Sequence, residues 1–258
     1  MGEKTKEKYN QTKCCAFCKK EVKLTKEHVL PNWLCSLYPT DEVVINEFTG
    51  AGQSQWNSKI FQHTAKVVCE NCNSGWMSEL VKNIKPLLTK MLNLEPLVIQ
   101  KSEQELRAFW AQKTFLMLNK AIPNGLKITQ DAYDDVYNLK NFSKKILVNL
   151  GWRANFQGTK QNPIASYEIK QITSIQVKKE LGEHVEIEKN KGGFVWKGVF
   201  AIGPIIFELI GHNMPIVLNV EIPKNSLKTI QPYKEELSWQ NEWPAEADGG
   251  LEKIKNRG

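Results

Sequence analysis

Two pairs of cysteines with the same internal spacing constrain the fold of this chain more than any other feature of its sequence. Cys15 and Cys18 form the first pair, and Cys69 and Cys72 form the second. Two Cys-x-x-Cys pairs supply four thiolates, the ligand set of a closed, tetrahedral structural zinc site. We therefore predict one structural Zn²⁺ that joins the two ends of the segment between the pairs.

The other cysteines and the absence of a leader-like segment support metal binding over disulfides. Cys14 adjoins the first pair and could replace Cys15 as a ligand, whereas Cys35 is expected to be an ordinary buried thiol. The N-terminal residues 1–13 are polar and lysine-rich, and no apolar run approaches the roughly 18 residues that a membrane span requires. We expect a cytoplasmic protein whose cysteines are metal ligands.

The charge of the chain favours an anionic partner. The net charge is +7 over 258 residues, and residues 1–26 hold eight lysines against three glutamates. Such an excess is typical of nucleic-acid-binding proteins. A basic segment that is simply solvated has the same composition, so charge alone leaves both interpretations open.

Apolar periodicity predicts an α+β fold. Residues 1–13 are expected to be a basic flexible arm, and a short helix should follow Pro31. Strands are predicted over 42–48 and 55–69, joined by a turn at 50–54 into a hairpin. After residue 144 the sequence favours short antiparallel strands, and these are predicted over 146–157, 166–177, 184–188, 194–202, 205–210 and 216–221.

Three helices are predicted between these regions. The first runs from Trp76 to Met91, with a kink expected from Pro86. Its apolar face carries Leu80, Ile84, Leu87, Leu88 and Met91, and its opposite face carries Lys82, Lys85 and Lys90. Those lysines could follow a phosphate backbone or form a solvated face.

The second helix spans residues 102–121, with Ser102 and Glu105 as a capping box. One apolar stripe on it is formed by Leu106, Phe109, Trp110, Thr114 and Met117. The third helix covers residues 131–139. Trp76 and Met77 are expected in the core, and His212 is expected in a structural turn.

Candidate catalytic residues lie beside the cysteine pairs. Glu27-His28-Val29-Leu30-Pro31 follows the first pair, and Asn73 follows Cys72 directly. An acid plus His, a nearby Pro, and then Cys-x-x-Cys with Asn or His resemble the signature of the HNH endonuclease family. The zinc-bound subset of that family also has an upstream Cys-x-x-Cys, which Cys15 and Cys18 match. The resemblance covers residues 14–90.

The resemblance implies a ββα-metal, treble-clef-like zinc module that cleaves phosphodiesters with one catalytic divalent ion. His28 matches the general base, and Glu27 and Asn73 match the ligands of Mg²⁺ or Mn²⁺. The family usually has Asp where Glu27 stands. It also has an Asn shortly before the second cysteine pair, and the candidates for that role here are His63, Lys66 and the more distant Asn57.

The predicted organisation is a zinc module over 14–95, a helical connector over 96–143, a β-rich domain over 144–231 and an irregular tail over 232–258. The leading hypothesis is an HNH-type endonuclease acting on nucleic acid, most simply DNA, in restriction or phage defence. The alternatives are a non-catalytic zinc module that binds nucleic acid or protein, and a toxin-like nuclease whose β domain senses a partner or a ligand.

Overall fold

Helices and antiparallel sheets share one hydrophobic core in the computed structural model of this chain. The structure describes residues 13–38, 43–49, 52–58, 63–121, 126, 128–152, 165–172, 195–212, 227–233 and 236–239. The predicted α+β class is confirmed at this level. The arm predicted over residues 1–13 lies outside the described residues except for Lys13, which belongs to a short strand, and the strands predicted over 184–188 and 216–221 lie wholly outside them.

The N-terminal part consists of two small antiparallel sheets and a helical segment. One sheet pairs β1 with β2 and the other pairs β3 with β6. The short helix α1 follows Pro31, as predicted. These elements span Lys13–Cys14 (β1), Glu21–Val22 (β2), Leu24–His28 (β3), Leu34–Leu37 (α1) and Thr64–Cys69 (β6).

The hairpin between the cysteine pairs exists, but its second strand is shorter than predicted. It joins β4 (Val43–Thr49) to β5 (Gly52–Ser58). The single strand expected over 55–69 is therefore wrong, because β5 and β6 belong to different sheets. Both β5 and β6 have strand composition, and no local marker in the sequence separates the strand that joins one sheet from the strand that joins the other.

A long helical segment follows β6 directly. It comprises α2 (Glu70–Cys72), one π-helical turn (Asn73–Met77) and α3 (Ser78–Leu92). The non-helical residue is Gly75, with φ −87° and ψ −116°, whereas α3 continues through Pro86. The irregularity thus falls at Gly75, next to the second cysteine pair. The amphipathic pattern of α3 is confirmed, with Leu80, Ile84, Leu88 and Met91 buried.

Helix α4 (Lys101–Ala121) lies at the centre of the molecule. It begins earlier than predicted, because the backbone N–H of Gln100 donates to the Glu103 carboxylate at 3.0 Å. The capping contact therefore uses Glu103 and not the predicted pair of Ser102 and Glu105. Every residue from Arg107 to Asn119 is buried, so the single apolar stripe predicted for this helix is wrong.

The largest sheet has seven strands in the order β12-β8-β11-β10-β9-β4-β5. Its pairs are antiparallel except for β4 beside β9, which is parallel. The N-terminal hairpin thus extends a sheet formed mostly by the later half of the chain. The strands not yet given span Ile146–Trp152 (β8), Ala165–Ile172 (β9), Val195–Ile202 (β10), Ile205–His212 (β11) and Lys228–Gln231 (β12).

Aromatic side chains attach this sheet to α4. Phe115 stacks on Trp196 with ring centroids 4.9 Å apart, and Trp110 packs edge-on against Phe207 at 5.6 Å. A Cβ at Gly198 would lie 1.8 Å from Phe115. The helix can therefore approach β10 this closely only because residue 198 has no side chain.

The C-terminal part contains structure that the sequence did not predict. In the region expected to be an irregular tail, β13 (Leu237–Trp239) pairs with β7 (Leu97–Ile99).

His212 ends β11 opposite Val195 and is buried, so its predicted place in a turn is wrong. Helix α5 (Gln130–Leu139) matches its prediction. Among the described residues, no helix combines the length and apolar character that crossing a bilayer requires.

Candidate metal centre and adjacent polar site

The four predicted cysteines form one cluster. The sulfurs of Cys15, Cys18, Cys69 and Cys72 all lie within 4.8 Å of one another. Cys15 Sγ is 3.8 Å from Cys72 Sγ, and Cys18 Sγ is 3.6 Å from Cys69 Sγ. The sulfurs of a regular tetrahedron with Zn–S bonds of about 2.3 Å lie about 3.8 Å apart. The cluster therefore has the dimensions of a four-thiolate zinc site, and disulfide bonds are excluded at these distances.

Local backbone structure positions the thiols of each cysteine pair in the cluster. The first pair lies in the turn between β1 and β2, where the N–H of Cys15 donates to the Lys20 carbonyl and that of Lys19 donates to the Cys15 carbonyl. Lys19 adopts a left-handed conformation with φ 60°. In the second pair, Cys69 ends β6 and Cys72 lies one helical turn later, so both thiols face the same side.

Electrostatics favours a cation at the centre of the cluster. The hydrogen bond with Cys72 lowers the pKa of Cys15 to about 4, and the same contact raises the pKa of Cys72 well above its usual range. Burial also raises the pKa of Cys18. One thiolate therefore opposes ionisation of its neighbours, and a divalent cation would let all four ionise together.

The helical connector rests on this cluster. The side-chain amide of Gln130 on α5 donates to the Ala16 carbonyl at 2.8 Å, and Lys19 forms an ion pair with Asp134. Trp76 packs against Phe17 with ring centroids 5.4 Å apart. Met77 is fully buried and Trp76 partly so, which confirms that both belong to the core.

A bulge on β6 lies opposite the strand that carries the predicted catalytic residues. Glu27 pairs with Ala65 and His28 with Thr64, but the register shifts between Thr25 and Glu27. The bulge turns the Val67 carbonyl toward the first cysteine pair, where it accepts the N–H of Ala16 at 2.9 Å. The zinc-binding turn is thus fixed to the strand pair through this irregularity.

Asn73 reaches the same strand from the π-helical turn. Its side-chain N–H₂ donates to Thr25 Oγ1 at 3.1 Å and to the Lys26 carbonyl at 3.4 Å. Thr25 and Glu27 share one face of β3, since side chains alternate along a strand. The side-chain nitrogen of Asn73 thus ties the π-helical turn to the strand, and its amide oxygen makes no hydrogen bond among the described residues. Amide and carboxylate oxygens are the ligand type that Mg²⁺ and Mn²⁺ prefer.

Glu27 also forms an ion pair that the sequence did not predict. Its Oε1 lies 3.5 Å from Nζ of Lys113 on α4, and the Lys113 side chain is 1% exposed. Burial lowers the pKa of Lys113, whereas the Glu27 carboxylate raises it. A signal was present in the sequence, because the apolar runs 109–111 and 115–118 stand on either side of Gln112, Lys113 and Thr114. A helix with apolar residues all around its axis is usually buried, and the few polar side chains among them are then buried with it.

His28 is half exposed at the end of β3. Among the described residues it forms no hydrogen bond with Glu27 or Asn73. Across the strand pair His28 lies opposite Thr64, and the next residue, Val29, donates its N–H to the His63 carbonyl at 3.0 Å. Of the three candidates for the family's middle Asn, His63 and Lys66 both lie in or beside β6, the strand that pairs with the Glu27-His28 segment. Lys66 is exposed on the bulge, and Asn57 belongs to the other sheet.

The predicted nucleic-acid-binding lysines lie on one exposed surface. Lys82, Lys85 and Lys90 are exposed along α3, and Nζ of Lys85 lies 5.6 Å above the ring of Trp33, just after Pro31.

Cys14 is exposed outside the cluster, so Cys15 provides the ligand. Cys35 is only half buried and contacts Asn32, so its description as a buried thiol is wrong.

Comparisons with protein-family models, with curated proteins and with solved structures give no match for this chain.

Proposed function

We propose that this protein is a metal-dependent endonuclease of the HNH type. The observation that carries the proposal is the pair of hydrogen bonds from Asn73 to Thr25 and Lys26. They link the first turn of a helix to the strand bearing Glu27 and His28, next to a four-cysteine cluster. Two antiparallel strands followed directly by such a helix are the arrangement that a treble-clef-like ββα-metal module requires.

Each residue has a chemical role in this proposal. Glu27 and Asn73 would hold the divalent ion through a carboxylate and an amide oxygen. When bound, Mg²⁺ or Mn²⁺ would stabilise charge on the phosphate and on the leaving oxygen. His28 accepts the proton of the attacking water, because imidazole is the side chain that most often serves as a general base at neutral pH. The water oxygen then bonds to phosphorus as the bond to the leaving sugar oxygen breaks.

The test is a plasmid-nicking assay on zinc-loaded protein. Nicking should require added Mg²⁺ or Mn²⁺, because a four-thiolate zinc site has no open position for water or phosphate. EDTA treatment mild enough to leave zinc bound should abolish the activity, and Mn²⁺ should restore it. Nicking that continues without a divalent ion would contradict this mechanism.

One observation favours a second candidate, a zinc module that binds nucleic acid without cleaving it. Glu27 is already paired with a buried lysine, and among the described residues no hydrogen bond orients His28 toward the other two. A protein of this kind would bind DNA but give no nicking at any Mn²⁺ concentration. The same assay, run beside a binding measurement, separates the two.

Nucleic-acid binding should depend on the exposed lysines of α3. The double substitution of Lys82 and Lys85 by glutamate should weaken binding and reduce the slope of log affinity against log salt by about two for duplex DNA, since each lost phosphate contact lowers it by about 0.9. The matched control is Lys144→Glu, at an exposed lysine before β8. Equal slopes in the double variant and the parent would show that the lysines of α3 are only solvated.

A further inference from the structure

The Lys113 ammonium is enclosed by the core, and Glu27 is its partner. Helix α4 is buried on all sides around this residue, and Glu27 Oε1 lies 3.5 Å from its Nζ. In the described part of the chain, Glu27 is the only carboxylate that forms an ion pair with it. A buried ammonium without a counter-charge is strongly disfavoured, so burial of Lys113 requires its ion pair with Glu27.

The two partners differ in their access to solvent. The Lys113 side chain is 1% exposed, whereas that of Glu27 is 15% exposed. Lys113 cannot reach a nucleic acid, because no part of its charged end lies at the surface. The Glu27 carboxylate can bind an ion on its solvent-exposed side, while Lys113 contacts it from the buried side. Lys113 therefore acts on the site through Glu27.

The pair also determines the charge that the site offers to a cation. Asn73 is neutral, so Glu27 supplies the only negative charge among the two proposed ligands, and Lys113 balances it. No other group of three or more His, Cys, Asp or Glu side chains converges here among the described residues, where the four-cysteine cluster is the one such group. The two proposed ligands and Lys113 together therefore carry no net charge, and such a set binds divalent cations weakly.

We propose that Lys113 is a positioning residue that fixes Glu27 and neutralises it, so that the divalent ion binds together with a phosphodiester and not to the protein alone. The inference rests on the proposed function, since it assigns Glu27 and Asn73 to a catalytic ion. The phosphodiester then supplies the negative charge that Glu27, balanced by Lys113, does not provide. The site therefore binds free metal ions only weakly in the absence of nucleic acid.

The experiment measures Mn²⁺ binding by the electron paramagnetic resonance signal of free Mn²⁺. The protein is zinc-loaded and carries His28→Ala, so that a short DNA duplex used as the probe stays intact. With Lys113 present, Mn²⁺ should bind at least about tenfold more tightly when DNA is added. With Lys113→Met, affinity for Mn²⁺ without DNA should rise on the order of tenfold, because a repelling unit charge near the ion is removed. The gain from DNA should shrink accordingly.

Lys113→Arg is the matched control, since it keeps the charge and should keep both the weak binding and its dependence on DNA. Should Lys113→Met lose zinc or fail to fold, Lys113→Gln has the same expected result, and unfolding of both variants would overturn the proposal. Mn²⁺ binding that is enhanced by DNA but identical with and without Lys113→Met would overturn this inference alone. Absence of Mn²⁺ binding under every condition would instead contradict the proposed nuclease.

Discussion

Replacing Cys69 with serine should release the zinc and unfold the N-terminal part of the chain. The parent should contain about one zinc per chain, and Cys69→Ser close to none. Apparent binding free energies of structural zinc are about 10–16 kcal/mol in small zinc-binding peptides, and this energy contributes to folding. Cys69 also ends β6, and its N–H donates to Cys15 Sγ at 3.4 Å, so the loss reaches the β3–β6 pair. Metal analysis and thermal unfolding measure the result.

Cys14→Ser is the matched control for this prediction. Cys14 adjoins Cys15 in sequence but is exposed and lies outside the cluster. Its substitution should change neither zinc content nor melting temperature. A Cys69→Ser protein that is zinc-free yet as stable as the parent would mean that the cluster is a set of buried thiols.

Replacing His28 with alanine should abolish most cleavage without changing the fold. The loss should be on the order of 10²–10⁴-fold, which is the usual contribution of a positioned general base. Zinc content and melting temperature should remain those of the parent, because His28 is half exposed and is not a zinc ligand. Affinity for DNA should also be kept. A nicking assay across a Mn²⁺ titration provides the measurement.

Asn73→Ala is the informative comparison in the same titration. It should lose activity through weaker binding of the catalytic ion, so high Mn²⁺ should restore part of it. His28→Ala should not recover, since additional metal does not replace a proton acceptor. Full activity of His28→Ala would remove its catalytic assignment and favour the binding module.

Features set by local chemistry were predictable from the sequence. The spacing within each cysteine pair identified the four clustered residues, and the 3.6-residue periodicity identified the buried face of α3. Helix α5 and most strands after residue 144 followed from composition and turn residues. In each case the signal lies within a few residues of the structure that it specifies.

Features that depend on distant partners were not predictable. The change of sheet between β5 and β6 has no local marker, and β13 has only three residues that become a strand by pairing with β7. The Glu27–Lys113 ion pair joins residues from β3 and α4, and no spacing rule connects them.

Strands near the start of the chain pair with strands near its end. The fold therefore cannot be completed until the later strands have been synthesised. The β4–β5 hairpin lies between the two cysteine pairs. Its neighbour β9 is complete only when synthesis has reached residue 172, and β13, the partner of β7, only when synthesis has reached residue 239. Such long-range pairing slows folding. A nascent chain that ends after α3 has all four cysteines but neither Lys113 nor the sheet around it. Fragments restricted to the zinc-binding part should therefore bind metal yet remain poorly folded.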